Sequence, residues 1–148
     1  MYNNETLLSV RQLSTAFRFE GEDVPVTFDV SFDIRRGEIL GLVGESGSGK
    51  SVTAKTIMRL LPSPPSRVMS GEVLYGGRNL LVLPENEMRK MRGNKISMIF
   101  QEPMTSLNPV YTCGNQIEEA IRLHQHVSGK EARKKAEEML RFVGMSMP

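Results

Sequence analysis

Gly44-Glu45-Ser46-Gly47-Ser48-Gly49-Lys50-Ser51 fits G-x-x-x-x-G-K-[ST] at every fixed position, and its reading decides the fold. The preceding Glu38-Ile39-Leu40-Gly41-Leu42-Val43 is a nearly continuous apolar run. Such a run predicts a parallel strand buried on both faces, and Ser51 to Leu61 has helical character. A strand that turns through glycines into a helix is a phosphate cradle. Glycine lets backbone N–H groups face a polyphosphate without a Cβ in the way, and the helix adds its positive N-terminal dipole. In that arrangement Lys50 reaches the β- and γ-phosphates, and Ser51 offers a hydroxyl to Mg²⁺, a hard cation that binds with substrate phosphates. A glycine-rich turn that binds nothing would need neither the lysine nor the serine in register.

Upstream of the loop, Val24, Val26, Phe28, Val30, Phe32 and Ile34 alternate with polar or small residues. That period of two predicts an antiparallel strand with one face on a core. Leu8, Val10 and Phe17 mark an earlier strand or strand pair, and Gly21-Glu22-Asp23 the turn between them. Downstream, Pro62-Ser63-Pro64-Pro65 forbids regular helix, and Gly71 to Tyr75 reads as a strand closed by Gly76-Gly77. Pro84 with Glu85 and Glu87 opens a short helix ending near Gly93. Ile96 to Phe100 reads as a second buried strand, followed by a polar, proline-broken loop. Ile117, Ala120, Ile121 and His124 recur at helical spacing. Ser128-Gly129-Lys130-Glu131 is a capping box for a helix carrying Ala132, Ala136, Met139, Leu140 and Val143 on one face, with Gly144 just past its end.

Composition bounds the function. A chain of 148 residues holds one domain's worth of core. A formal net charge of +2 does not call for nucleic acid, and Lys130, Arg133, Lys134 and Lys135 alternate with Glu131, Glu137 and Glu138 as a solvated helical face does. The single cysteine, Cys113, favours a reducing cytosolic compartment, and His124 and His126 lack metal-ligand spacing. No run approaches the ~20 apolar residues of a membrane span, so any membrane role is expected to be peripheral.

Three blocks together resemble the ATP-binding subunits of ABC transporters, in the branch serving dipeptide and oligopeptide importers. Gly44 to Ser51 matches the family's Walker A loop. Phe100-Gln101-Glu102-Pro103-Met104-Thr105-Ser106-Leu107-Asn108-Pro109 is similar to the Q-loop of the peptide-importer branch, a narrower signal. Leu13 to Phe17 is similar to the A-loop segment, whose aromatic residue stacks on adenine. The resemblance implies an α/β P-loop NTPase of ABC ATPase type: an antiparallel β subdomain, a partial parallel core sheet and the start of a helical subdomain. It implies a β subdomain and P-loop core over about 1–100, and a Q-loop with partial helical subdomain over about 101–148. ATP would be held by Phe17 and by Gly44, Glu45, Ser46, Gly47, Ser48, Gly49, Lys50, Ser51 and Val52. Mg²⁺ would be held by Ser51 and Gln101, with Gln101 also placed in the catalytic machinery. Phe19 competes with Phe17 for the base-stacking role. The implied partners are the membrane-spanning permease subunits and a second ATP-binding subunit, at the cytoplasmic face of the inner membrane. Met104, Leu107 and the helix from Ile117 to Leu123 are then either partner surface or ordinary core.

The family's Leu-Ser-Gly-Gly-Gln-like signature, its Walker B strand ending in Asp-Glu and its switch histidine do not occur in these 148 residues. Leu80-Leu81-Val82-Leu83 runs into Pro84-Glu85 instead. The expectation is the N-terminal part of an ABC ATPase, here apparently truncated. A non-enzymatic nucleotide-binding remnant or stand-alone P-loop module is the alternative. A GTPase fails on its base-reading motif, because Asn94-Lys95-Ile96-Ser97 has Ser where Asp is required.

Overall fold

Glu20 and Gly21 both take positive φ, 49° and 91°, and so form the two-residue turn whose twist suits an antiparallel hairpin. That turn joins β1 (Thr6–Phe19) to β2 (Glu22–Arg35), one residue earlier than the Gly21-Glu22-Asp23 expected. In a computed structural model, which describes residues 5–101 and 107–145, the chain continues through α1 (Lys50–Ile57), β3 (Ser66–Tyr75), β4 (Arg78–Asn79) and α2 (Glu85–Met91). Helices α3 (Cys113–Gln125) and α4 (Gly129–Phe142) follow. The sheet has the order β2-β1-β3-β4, antiparallel throughout, with β3 and β4 joined across Gly76-Gly77. The chain divides into two units, Met1–Met88 and Arg89–Pro148.

In the first unit β1 is one of the two inner strands and carries much of the core: Val10, Leu13 and Ala16 are buried, as are Val73 of β3 and Ile57 and Met58 at the end of α1. A line of irregularity crosses the sheet at one level. Gln12 in β1 and Asp29 in β2 have φ of 47° and 49°, and Gly71 in β3 has φ of 95°. A bulge frees backbone groups from the ladder, and buried ones must find other partners. Serines from the neighbouring strands supply them. The Gln12 N–H donates to Ser31 Oγ at 2.8 Å, the Asp29 N–H to Ser14 Oγ at 3.0 Å, and Ser70 Oγ donates to the Gln12 carbonyl at 3.2 Å.

This seam overturns part of the expected alternation. Beyond it Val30, Phe32 and Ile34 are half-buried as expected, but before it the phase slips by one residue. Thr27 becomes the buried residue, and Val24, Val26 and Phe28 are exposed, Phe28 at 82%. One extra residue in a strand sends every later side chain to the other face.

Helix α1 is also shorter than the expected Ser51–Leu61. It stops at Ile57 because Arg59 takes φ 51° and its guanidinium donates to the carbonyls of Leu80 and Leu83, at 3.3 and 2.5 Å. Helix α2 opens on Glu85 and Glu87 as the dipole argument requires.

The two segments read as buried parallel strands carry no strand assignment. Ile39 and Val43 are exposed at 98% and 92%, Ile99 at 98%, and among the described residues the pairing there is an isolated parallel bridge from Arg92 to Ile96. An apolar run becomes a parallel strand only when strands flank it and helices cover its faces, and among the described residues no strand pairs with Glu38 to Val43.

In the second unit, α3 is capped by Thr112, whose hydroxyl accepts from the Asn115 N–H at 3.2 Å. Ile121 packs with Ala132 and Ala136 of α4, flanked by Ile117 and Val127. The expected faces are therefore half right. Ala120 is exposed, as are Met139 at 60% and Val143 at 72%, and the buried cluster takes only Ala132 and Ala136 from the face read on α4. The capping box forms as read: Ser128 Oγ accepts from the Glu131 N–H at 3.3 Å, and the Ser128 N–H donates back to the Glu131 carboxylate at 3.2 Å. These bonds to the Ser128 backbone, and then to its hydroxyl, hold the Glu131 pKa below the ordinary carboxylate value.

A lowered folded-state pKa means that this cap contributes fully above the ordinary carboxylate value and is lost as pH falls through the lowered one. Ser128→Ala is expected to return the Glu131 pKa toward the ordinary value in a carboxyl NMR titration. Identical titration curves for the two proteins would show that the box does not form in solution.

Candidate functional site

The loop between Gly44 and Lys50 turns on two left-handed glycines, Gly47 at φ 82° and Gly49 at φ 86°. Gly49 is the residue that caps α1, and it is buried. A Cβ added there would lie 2.6 Å from Thr27 Cγ2 and 3.1 Å from the Val26 carbonyl oxygen of β2. Only glycine satisfies both the backbone sign and the close approach of the strand. A Cβ at Gly44 would meet Ser48 Oγ at 2.7 Å, so the loop closes on itself there too.

The first helical hydrogen bond runs from the Thr53 N–H to the Gly49 carbonyl at 2.8 Å. The N–H groups of Lys50, Ser51 and Val52 precede it, and a helix supplies no acceptor to its first turn. They open onto a hollow of about 250 Å³ lined by Val26 and residues 47–52. Lys50 folds its ammonium into the loop, donating to the carbonyls of Gly44 at 2.7 Å and Glu45 at 2.6 Å and to Ser48 Oγ at 3.1 Å. Backbone donors at a helix N-terminus, with a cation folded into the adjoining loop, are the chemistry that suits an anion of phosphate type. Nothing in the lining offers an acceptor-rich surface to a cation alone.

The expected site residues are only partly brought together. Gly47 to Val52 line the hollow, Gly44 and Glu45 hold Lys50 through their carbonyls, and Ser46 lies in the turn. Phe17 lies in β1, half-buried, opposite Val24 and Ser66, and is not among the lining residues. Phe19, at the end of the strand, is 67% exposed. Gln101 is exposed and belongs to the second unit. Met104 falls outside the described residues, while Leu107 and Leu123 are exposed at 50% and 67%. The alternating pattern missed Val26, which was read as core and instead borders the hollow, and Thr27, which was read as an outward polar position. Neither has a local signal, since both depend on the phase slip at Asp29.

A glycine loop capping a helix that begins with Lys-Ser defines a P-loop NTPase fold. The sequence pattern described as ABC transporter matches residues 27–147, and the chain belongs to that family. It is 52% identical over 146 residues to the peptidoglycan transport ATP-binding protein YejF of Agrobacterium fabrum, covering 99% of this chain and 27% of that protein. It is 47% identical over 142 residues to the oligopeptide transport ATP-binding protein OppD of Bacillus subtilis, covering 96% and 40%. The chain thus spans well under half the length of these curated relatives. Among solved structures, the dimeric ATP-binding cassette MJ0796 in a post-hydrolysis state bound to ADP and Pi superimposes with a TM-score of 0.79 at 26% identity. That match covers 94% of this chain and 58% of the other. Among the described residues no helix is long and apolar enough to cross a membrane.

Gly49→Ala forces an L-residue into φ 86° against the β2 backbone. It is expected to lower stability by about 1–3 kcal/mol, read as a lower urea midpoint with an unchanged slope. An unchanged midpoint would mean that the loop meets β2 differently in solution.

Proposed function

We propose that the chain is the nucleotide-binding part of an ATP-binding subunit of an ABC importer for peptides or a related small solute. The observation that carries the reading is the capped start of α1, where Gly49 takes φ 86° and Lys50, Ser51 and Val52, whose N–H groups open the helix, line one hollow. The names of YejF and OppD, both transport ATP-binding proteins, support the transport role. The ADP and Pi of the MJ0796 cassette support the ligand.

On this reading Lys50 exchanges its carbonyl partners for the β- and γ-phosphate oxygens, gaining charge-assisted bonds shorter and stronger than neutral ones. Ser51, at the second position of α1, and Gln101 are the residues that would hold Mg²⁺, which would neutralise polyphosphate charge. Bound ATP supplies the polyphosphate charge that these donors are arranged to meet. Phe17 stacks on adenine from the end of β1, a contact worth ~1–3 kcal/mol where aromatic stacking on bases has been measured. The subunit pairs with a second ATP-binding subunit, as the dimeric cassette does, and docks on permease subunits at the cytoplasmic face of the membrane. A second reading, binding without turnover, is favoured for these 148 residues by Glu85. It is the first carboxylate after the Leu80 to Leu83 run, and it pairs with Arg59 at 3.5 Å instead of facing the hollow.

Two measurements test the proposal. Lys50→Ala should weaken binding of a fluorescent ATP analogue by about one to two orders of magnitude, the scale of lost hydrogen bonds to a charged partner. Phe17→Ala should weaken ATP but not inorganic tripolyphosphate. Equal affinities for wild type and Lys50→Ala would remove the phosphate-loop assignment, and parallel losses for both ligands in Phe17→Ala would make Phe17 a packing residue. The chain should also release phosphate from Mg²⁺-ATP far more slowly than the enzyme median of ~10 s⁻¹. Its loop groups bind substrate and transition state alike, which lowers KM without raising kcat. Median turnover that disappears in Lys50→Ala would overturn the second reading.

A further inference from the structure

Four threonines are buried together where α1 meets the sheet: Thr15 of β1, Thr27 of β2, and Thr53 and Thr56 of α1. Each hydroxyl has a hydrogen-bond partner. Thr56 Oγ1 donates to the Val52 carbonyl at 2.8 Å, which leaves its lone pair to accept from Thr15 Oγ1 at 3.2 Å. The Thr15 N–H in turn donates to Thr27 Oγ1 at 3.1 Å. Thr53 Oγ1 donates to the Gly49 carbonyl at 3.0 Å, the same oxygen that accepts the first helical N–H. Buried hydroxyls are costly unless bonded, so this cluster is worth having only where orientation matters. Aliphatic residues would fill the same space.

Thr27 differs from the other three. Its hydroxyl faces β1, while its methyl Cγ2 lies where a Gly49 Cβ would come within 2.6 Å. One side chain thus ties the sheet ladder to the residue that caps α1. We propose that Thr27 is a positioning residue for phosphate binding: its methyl sets the height of Gly49 above β2 and so aims the N–H groups of Lys50, Ser51 and Val52. It touches no phosphate. The hydroxyl and the methyl have separable jobs, because the first satisfies a buried N–H and the second supports the loop.

The inference rests on the phosphate-loop reading proposed above, and conservative variants of the full 148-residue chain separate the two. Thr27→Ser keeps the hydroxyl and deletes the methyl, so it should weaken inorganic tripolyphosphate binding about tenfold while lowering the urea midpoint less than Thr27→Val does. Thr27→Val restores the methyl and removes the acceptor, so it should regain the affinity that serine loses while lowering the urea midpoint, since the Thr15 N–H is left buried without a partner. Tripolyphosphate is the probe because it reports the loop without the base. A purely structural role would make affinity follow stability across the pair. Unchanged affinity in Thr27→Ser, or a loss in Thr27→Val that matches or exceeds it, overturns the proposal. Lys50→Ala run in parallel keeps the failures apart: if it too binds tripolyphosphate as wild type does, the phosphate-loop reading has failed, and if it alone loses binding, only the role of Thr27 has.

Discussion

The seating of Gly49 on β2 is the constraint on which the proposed phosphate cradle depends. A left-handed residue caps α1, and the strand beneath comes close enough that no side chain fits between. The helix then cannot drift along the strand without either a clash with the Val26 carbonyl or a gap over Thr27. What the ligand would meet is a set of backbone donors whose direction is fixed by a packing contact on the opposite side of the loop. Such donors need no reorganisation when charge arrives, which is how fixed dipoles outperform mobile water as a solvent for anions.

That arrangement explains why the antiparallel sheet matters to a site it does not directly form. β1 is covered on both edges, by β2 and by β3, and its buried residues anchor the end of α1 through Ile57 and Met58. Arg59 stops the helix and fastens it to the carbonyls of Leu80 and Leu83. The eight residues of α1 are therefore held at the start by Gly49 and at the finish by Arg59. A helix this short is marginal on its own, so its axis is set by these two ends.

How much of this the sequence shows follows from the range of each cause. The loop glycines, Lys50 and Ser51, the capping box at Ser128 and the acidic opening of α2 are local, and all appear where spacing puts them. Phase along β2 is not local. The alternation from Val24 to Ile34 is correct on one side of Asp29 and inverted on the other, and nothing in the hydrophobic pattern marks the slip. The residues misassigned as a result, Val26 and Thr27, are the two that meet the loop. The apolar segments at Glu38 to Val43 and Ile96 to Phe100 fail differently. Hydrophobicity says that a segment seeks cover, and it is silent about which strand provides it. Phe17 and Gln101 came from family resemblance, and neither lies among the residues that line the hollow.

The seam through Gln12, Asp29 and Gly71 has a consequence for how such a sheet can change over time. Substitutions at most of its positions leave the ladder alone, but the offset in β1 is matched by one in β2 and one in β3, with Ser14, Ser31 and Ser70 spanning the joints. Removing one residue from a single strand would straighten it against neighbours that remain offset, and would return Thr27 to the solvent side. Length is thus a shared property of three separate stretches of chain. The sheet can accept point changes one at a time, while insertions and deletions near the seam become neutral only in matched sets, a barrier that has nothing to do with the chemistry of any one side chain.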